Sequence, residues 1–132
     1  MESKALLIEY YDALSEGEFD KVAECYDVPG KLISLYGALD CASREQVRNA
    51  FVSIHDAWKS KDISPKIAYN PNEFVVKSIQ PNIELAHTTL RNFDLDGRPL
   101  QKWHCTYVLR KEQEAFLISL ATTNNKASLP AD

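Results

Sequence analysis

The sequence predicts an α+β domain, with three N-terminal helices packed on one face of a curved, mostly antiparallel sheet. Two contrasts along the chain predict it. Up to Trp58 the apolar residues mostly recur at the three- and four-residue spacing of amphipathic helices, whereas after Pro65 they fall in β-rich runs divided by turn residues. The stretch from Asn82 to Asn125 then holds three such runs in succession, separated by Asp96-Gly97 and by the polar break Lys111 to Glu114. That is the spacing of a pair of hairpins.

Each element has its own reason. From Lys4 to Ser15, Leu6, Leu7, Tyr10, Tyr11 and Leu14 form one helical stripe, Ser3 is available as an N-cap, and Gly17 stops the helix. Glu18 to Tyr26 repeats the pattern, and Pro29-Gly30 forbids its continuation. Lys31 to Tyr36 reads as a short strand ended by Gly37, with Ala38 to Ala42 pairing back on it. Ser43-Arg44-Glu45-Gln46 is a capping box, so the longest helix begins at Arg44, with Val47, Ala50, Phe51, Ile54 and Trp58 on its buried stripe. Lys59 to Asp62 ends it with mostly basic residues, as the helix dipole prefers. Strands follow at 66–69, 73–79, 83–95, 99–110 and 115–123, with Asn70-Pro71 readable as a bend inside one long strand.

The bulk numbers bound the function. At 132 residues the chain reads as one domain over 1–132, with an ordered core of about 3–125 and a polar tail, 126–132. A net charge of −4 with scattered lysines and arginines argues against nucleic acid as a partner. Cys25, Cys41 and Cys105 are an odd number at wide spacing, which suits reduced thiols in the cytoplasm. No apolar run reaches membrane-spanning length, and the first residues lack the pattern of a signal peptide, so no membrane is expected as a partner.

The run Ile8-Glu9-Tyr10-Tyr11-Asp12-Ala13-Leu14-Ser15-Glu16-Gly17-Glu18-Phe19-Asp20 resembles the opening of the nuclear transport factor 2-like superfamily. The turn Asp94 to Gly97, followed by Tyr107-Val108-Leu109-Arg110 and a polar loop before an aliphatic strand, is similar to the ending of its SnoaL-like and ketosteroid-isomerase-like members. The resemblance covers residues 3 to 125. It implies a cone-shaped, cystatin-like α+β barrel, a pocket at its open end that accepts a small apolar organic molecule, and a homodimer formed through the sheet. It leaves the activity open, because that fold serves isomerases, cyclases, dehydratases and non-catalytic assembly domains alike.

Ketosteroid isomerase works with a carboxylate base and an oxyanion hole of a Tyr and a protonated Asp. A gap-free alignment of the first helix puts Tyr10 on that tyrosine, but the base position falls on Ser34 and the second acid on Thr106. With both carboxylates replaced by hydroxyls, that mechanism is not expected. Any enzyme here would be a cofactor-free isomerase, cyclase, lyase or dehydratase; a non-catalytic binding or assembly domain is the other reading.

Strand register supplies the candidate site. If Asp96-Gly97 is a two-residue turn, His87 lies opposite Thr106 and Thr89 opposite His104, all on one face. A second turn at Glu112-Gln113 adds Ser119 opposite Thr106 and Ala121 opposite His104. This patch is either a pocket floor in which His104 or His87 works as acid or base, or a surface or dimer face. The other face carries Leu90, Trp103, Cys105, Tyr107, Ile118 and Leu120, bulk that belongs under the helices, whereas the isomerase alignment turns Thr106 inward. Covering one side with helices and the other with a second subunit satisfies both. The candidates are thus His104, His87 and Tyr10 for chemistry and Tyr10, Trp58, Thr89, Thr106 and Ser119 for the pocket. No cofactor is expected, and no metal, because His55, His87 and His104 lack ligand spacing.

Overall fold

The computed structural model describes residues 2–34 and 37–124. Helices α1 (Ser3–Glu16), α2 (Phe19–Glu24) and α3 (Arg44–Ser60) accompany strands β1 (Tyr26–Ser34), β2 (Gly37–Cys41), β3 (Ala68–Tyr69), β4 (Val75–Gln80), β5 (Ile83–Phe93), β6 (Pro99–Glu112) and β7 (Ala115–Asn124). Among the described residues these strands form one sheet in the order β2-β1-β7-β6-β5-β3, with β4 also on β5. The sheet is strongly curved but unclosed, so the architecture is the expected α+β fold without the closure of a barrel. Its pairings are antiparallel except β1 with β7, which is parallel.

The α1 stripe is buried as its spacing requires, and Gly17 ends the helix in the left-handed region at φ 70°. Ser3 is not the N-cap: Glu2 holds that position, and the buried Ser3 hydroxyl donates instead to the Glu84 carboxylate on β5. Helix α2 is shorter than expected, because Tyr26 leaves it to pair with Ile118 and to hydrogen-bond Tyr10. Pro29 and Gly30 therefore lie inside β1. The proline is tolerated there because the β1–β7 register is interrupted between Tyr26 and Lys31, so no ladder bond is asked of its nitrogen. The hairpin of β1 and β2 forms as expected, with Leu35 and Tyr36 outside the described residues. The polar tail at 126–132 also lies outside them.

The Ser43 hydroxyl accepts from Gln46 N–H, and the Gln46 side chain accepts from Ala42 N–H, starting α3 where the capping box placed it. Along α3 only Val47 and Phe51 are fully buried, and Ile54 is largely exposed. The inward line runs through Val47, Phe51, His55 and Trp58. Arg48 fastens α3 to α2 through Asp20 at 2.8 Å.

Asn70-Pro71 is indeed a bend along one edge: β3 and β4 both pair with β5, joined by a 3₁₀ turn at Pro71–Glu73. The β5–β6 register pairs His87 with Thr106 and Thr89 with His104, as expected, though the turn differs. Asp94 accepts through its carboxylate from Asp96 N–H and Arg98 N–H, so Leu95, Asp96 and Gly97 form a three-residue loop. A bulge at Leu100-Gln101, whose Gln101 N–H donates to the Asn92 carboxamide, restores the register.

The β6–β7 register is a correction. Glu112 pairs with Ala115, so the turn residues are Gln113 and Glu114, with Gln113 at φ 57°. Ser119 is then an extra residue between the pairs Leu109/Ile118 and Val108/Leu120, so Thr106 faces Thr122 and His104 faces Asn124. The bulge also moves Leu120 to the Thr106 side and brings Ala121 and Thr123 to the Tyr107 side. The bulky face of the sheet is the one under the helices: Tyr11 of α1 bonds Tyr107, and Cys105, Tyr107, Leu109 and Ile118 are buried. Thr106 points away from them. The position that the isomerase alignment gives to the second acid thus lies on the outer face, and Cys105 and Tyr107 are its inward neighbours.

Candidate ligand cavity

Between the inner face of the sheet, α1 and the second half of α3 lies a cavity of about 550 Å³, within the size range of sites for small organic molecules. Its walls are mainly apolar, and their rings are Tyr10 and Tyr11 from α1, Phe51 and Trp58 from α3, and Trp103 and Tyr107 from β6. Tyr10, Tyr11 and Phe51 fill the deep end and are buried, whereas Ile54 and Leu100, also in the wall, remain largely exposed at its rim.

The deep end is held by phenols. Tyr11 Oη lies 2.7 Å from Tyr107 Oη and 2.6 Å from Thr88 Oγ1, and Tyr10 Oη lies 2.8 Å from Tyr26 Oη. Burial pushes the pKa of Tyr10, Tyr11, Tyr26 and Tyr107 well above the usual phenol value, so all four keep their protons at neutral pH and serve as hydrogen-bond donors. Cys105 beside them is raised by burial as well, and Cys25 is pushed up to about 12 by burial and then by Glu9 and Glu24. Neither thiol is primed as a nucleophile.

The polar part of the wall comes from His55, Lys61, Arg91, Asn92 and Gln101. Burial lowers the His55 pKa from 6.5, partly opposed by Asp56 and by a hydrogen bond to the Leu14 backbone. Its Nε2 is buried with no partner among the described residues, so the bond to the Leu14 carbonyl comes from Nδ1, and Nε2 is the unprotonated nitrogen of the neutral ring. The indole Nε1–H of Trp103 is likewise buried with no partner among the described residues. Among the described wall residues there is no Asp or Glu, and the charged side chains are Lys61 and Arg91, the latter 3.5 Å from Glu73.

Of the sequence-derived candidates, Tyr10 and Trp58 line this cavity, as does Ser34, the residue aligned with the isomerase base. His87, His104, Thr89, Thr106 and Ser119 do not. The first four share the outer sheet face, where the rings of His87 and His104 stack at 5.8 Å and His87 Nδ1 lies 3.2 Å from Thr106 Oγ1. Burial, followed by the neighbouring His104, lowers the His87 pKa. Ser119 at its bulge bonds the Asp27 carboxylate, which also pairs with Arg110 at 3.0 Å. The residue missed was His55. Its signal was present, since it falls four residues after Phe51 and three before Trp58.

No group of three or more His, Cys, Asp or Glu side chains among the described residues is arranged to hold a metal ion, and no described helix is long and apolar enough to cross a membrane.

A family model described as an NTF2-like protein (DUF6841) matches residues 1–126. No functionally curated protein matches the chain. Solved structures share the fold at low identity. A protein of unknown function with a cystatin-like fold from Nostoc punctiforme superposes with a TM-score of 0.76 at 12% identity, covering 96% of this chain and 90% of that one. A ketosteroid isomerase-like protein from Erwinia carotovora atroseptica gives 0.67 at 13%, covering 90% and 89%. A putative calcium/calmodulin dependent protein kinase II association domain from Xanthomonas campestris gives 0.67 at 23%, covering 95% and 86%.

Proposed function

This chain belongs to the NTF2-like family DUF6841, and from its cavity we propose that it binds a small, largely apolar organic molecule between α1, α3 and the inner face of the sheet. The carrying observation is about 550 Å³ of space walled chiefly by apolar side chains, aromatic rings among them. Apolar area removed from water contributes roughly 25 cal/mol per Å², so such a wall favours an apolar guest. Calorimetric titration with bicyclic hydrocarbons tests it: saturable binding at one molecule per chain is expected, and no binding across the series refutes it.

The proposal includes a homodimer, formed by two copies meeting through the outer sheet face. That face carries Ile33 and Val75, 36% and 49% exposed, around the half-buried His87, His104 and Thr106. Support for self-association also comes from the structural relative described as an association domain. A cytoplasmic setting fits three free, buried cysteines.

A second reading, a cofactor-free isomerase, lyase or cyclase, is favoured by one observation: the cavity wall holds a histidine of lowered pKa, His55, together with the protonated phenols of Tyr10, Tyr11 and Tyr107. In it the His55 ring, turned so that Nε2 faces the cavity, takes a proton from carbon while a phenol donates to the developing oxyanion. Deuterium exchange into a bound ketone, lost in His55→Phe, is its expected signature; equal exchange in both proteins contradicts it.

A further inference from the structure

The outer sheet face, proposed above as the contact between two copies, carries a pair of imidazoles on β5 and β6, which have other strands on both sides. His87 and His104 each lie opposite a threonine, and their rings stack nearly parallel, with 13° between the planes and centroids 5.8 Å apart. Rings so close resist carrying a charge together. His87 Nδ1 lies 3.2 Å from Thr106 Oγ1, which can accept from it. His104 Nδ1 is buried with no partner among the described residues, so the charged form of that ring, in which both nitrogens carry hydrogen, adds a donor with no acceptor.

The neighbours on this face offer a charged imidazole no counter-ion. Register places Val75, Thr89 and Asn124 beside the pair, none of them charged. Lys77 on β4 and Lys102 on β6 fall on the same side and are cations themselves. The carboxylates around the face are each engaged by a cation of the chain: Glu73 by Arg91 at 3.5 Å, Asp40 by Lys31 at 3.7 Å, and Asp27 and Glu112 by Arg110 at 3.0 and 3.7 Å. In a two-fold contact the same patch meets itself, so a second copy brings more imidazoles and more lysines and takes water away from all of them. Burial, followed by the neighbouring His104, already lowers the His87 pKa within one chain, and further loss of water acts in the same direction.

We infer that the dimer holds only while the His87 and His104 rings are neutral, and that mild acid separates it into folded chains. The inference rests on the homodimer proposed above and adds its regulation. On separation the rings regain water and each pair takes up one proton, the second being resisted by the first. Two protons taken up per dimer make the dissociation constant rise about a hundredfold for each pH unit below the free chain's midpoint and leave it flat above. Because His87 titrates below 6.5 even in one chain, separation is expected between about pH 6 and 5.

The test follows sedimentation of the full chain between about pH 7.5 and 5, with far-ultraviolet circular dichroism on the same samples, for the wild type and for the double variant His87→Gln with His104→Gln. The wild type is expected to be dimeric at the upper end, with a dissociation constant that climbs about a hundredfold over the last unit and an unchanged spectrum; in the double variant the climb shrinks to less than about threefold. A readout free of substitutions comes from NMR of the wild type. The His87 imidazole resonance should titrate at lower pH in a concentrated, dimeric sample than in a dilute, monomeric one, while His55, away from this face, titrates alike in both. Should the double variant fail to dimerise at all, the His87 midpoint decides. A dissociation constant indifferent to pH, a climb that survives in the double variant, a His87 midpoint indifferent to concentration, or loss of the folded spectrum together with the dimer overturns the inference and leaves the dimer at neutral pH standing. A wild type that is monomeric at the upper end refutes the dimer proposal itself.

Discussion

Tyr11 Oη on the first helix lies 2.7 Å from Tyr107 Oη on the central strand, tying two residues 96 positions apart at the floor of the cavity. Both side chains are buried, and Tyr11 is fully so. The same oxygen meets Thr88 Oγ1 at 2.6 Å, so a single phenol serves two partners. The expected result of Tyr11→Phe is a loss of about 1–3 kcal/mol in urea denaturation, because two buried hydroxyls lose their partner. Adding Tyr107→Phe to it should cost less than the sum of the single changes. Additive losses would show that the hydroxyls do not interact.

Gly30 has a steric role. A Cβ there would sit 2.7 Å from the Asp27 carbonyl oxygen and 3.2 Å from that of Ser119, both backbone atoms that cannot swing aside. Gly30→Ala should therefore destabilise the β1–β7 junction by about 1–3 kcal/mol, read as a lower midpoint in thermal or urea unfolding. An unchanged midpoint would mean that the strands approach less closely.

The pH dependence has a definite sign. Burial holds the His55 and His87 pKa values below 6.5, so on acidification the unfolded chain takes up their protons before the folded one. The folded state thus loses stability as pH falls through the window from 6.5 down to the folded pKa values, and these two rings contribute no slope above it. NMR titration of the imidazole protons should place both midpoints below 6.5, and His55→Phe should flatten the fall in stability. A midpoint for His55 at or above 6.5 contradicts the burial argument.

Dimerisation is tested on the outer face. Thr106 points away from the helices, beside His87, so Thr106→Arg adds a charge there without touching the core. The wild type should run as a dimer in light scattering and Thr106→Arg as a folded monomer with an unchanged far-ultraviolet circular dichroism spectrum. A monomeric wild type, or a variant that stays dimeric, removes this face as the interface.

The fold was legible where local chemistry determined it. The Ser43 cap, the Gly17 stop and the alternation of β5 and β6 leave few alternatives, whereas the inward face stayed open in the sequence, bulk favouring Trp103, Cys105 and Tyr107 and the isomerase alignment favouring Thr106. Register across β6 and β7 was not legible, because Gln113 adopts a left-handed conformation usually left to Gly or Asn, and the Ser119 bulge has no residue signature. That one-residue shift carried Leu120 to the outer face. The polar cluster of His87, His104, Thr89 and Thr106 assembled as the alternation predicts, yet away from the cavity. The side of the sheet that faces a void depends on how the helices pack on it, which is a tertiary property. His55 was readable from its spacing to Phe51 and Trp58, but a stripe drawn through the more apolar Ile54 hid it.

The most direct measurement of the central claim uses the two tryptophans, since Trp58 and Trp103 both line the cavity. Tetralin titrated into the full chain should change their fluorescence saturably, with the affinity reduced at least tenfold in Ala57→Phe, which adds a ring at an exposed wall position without disturbing the core. An unchanged spectrum at saturating probe, or full affinity in Ala57→Phe, would contradict the account of the cavity as the binding site.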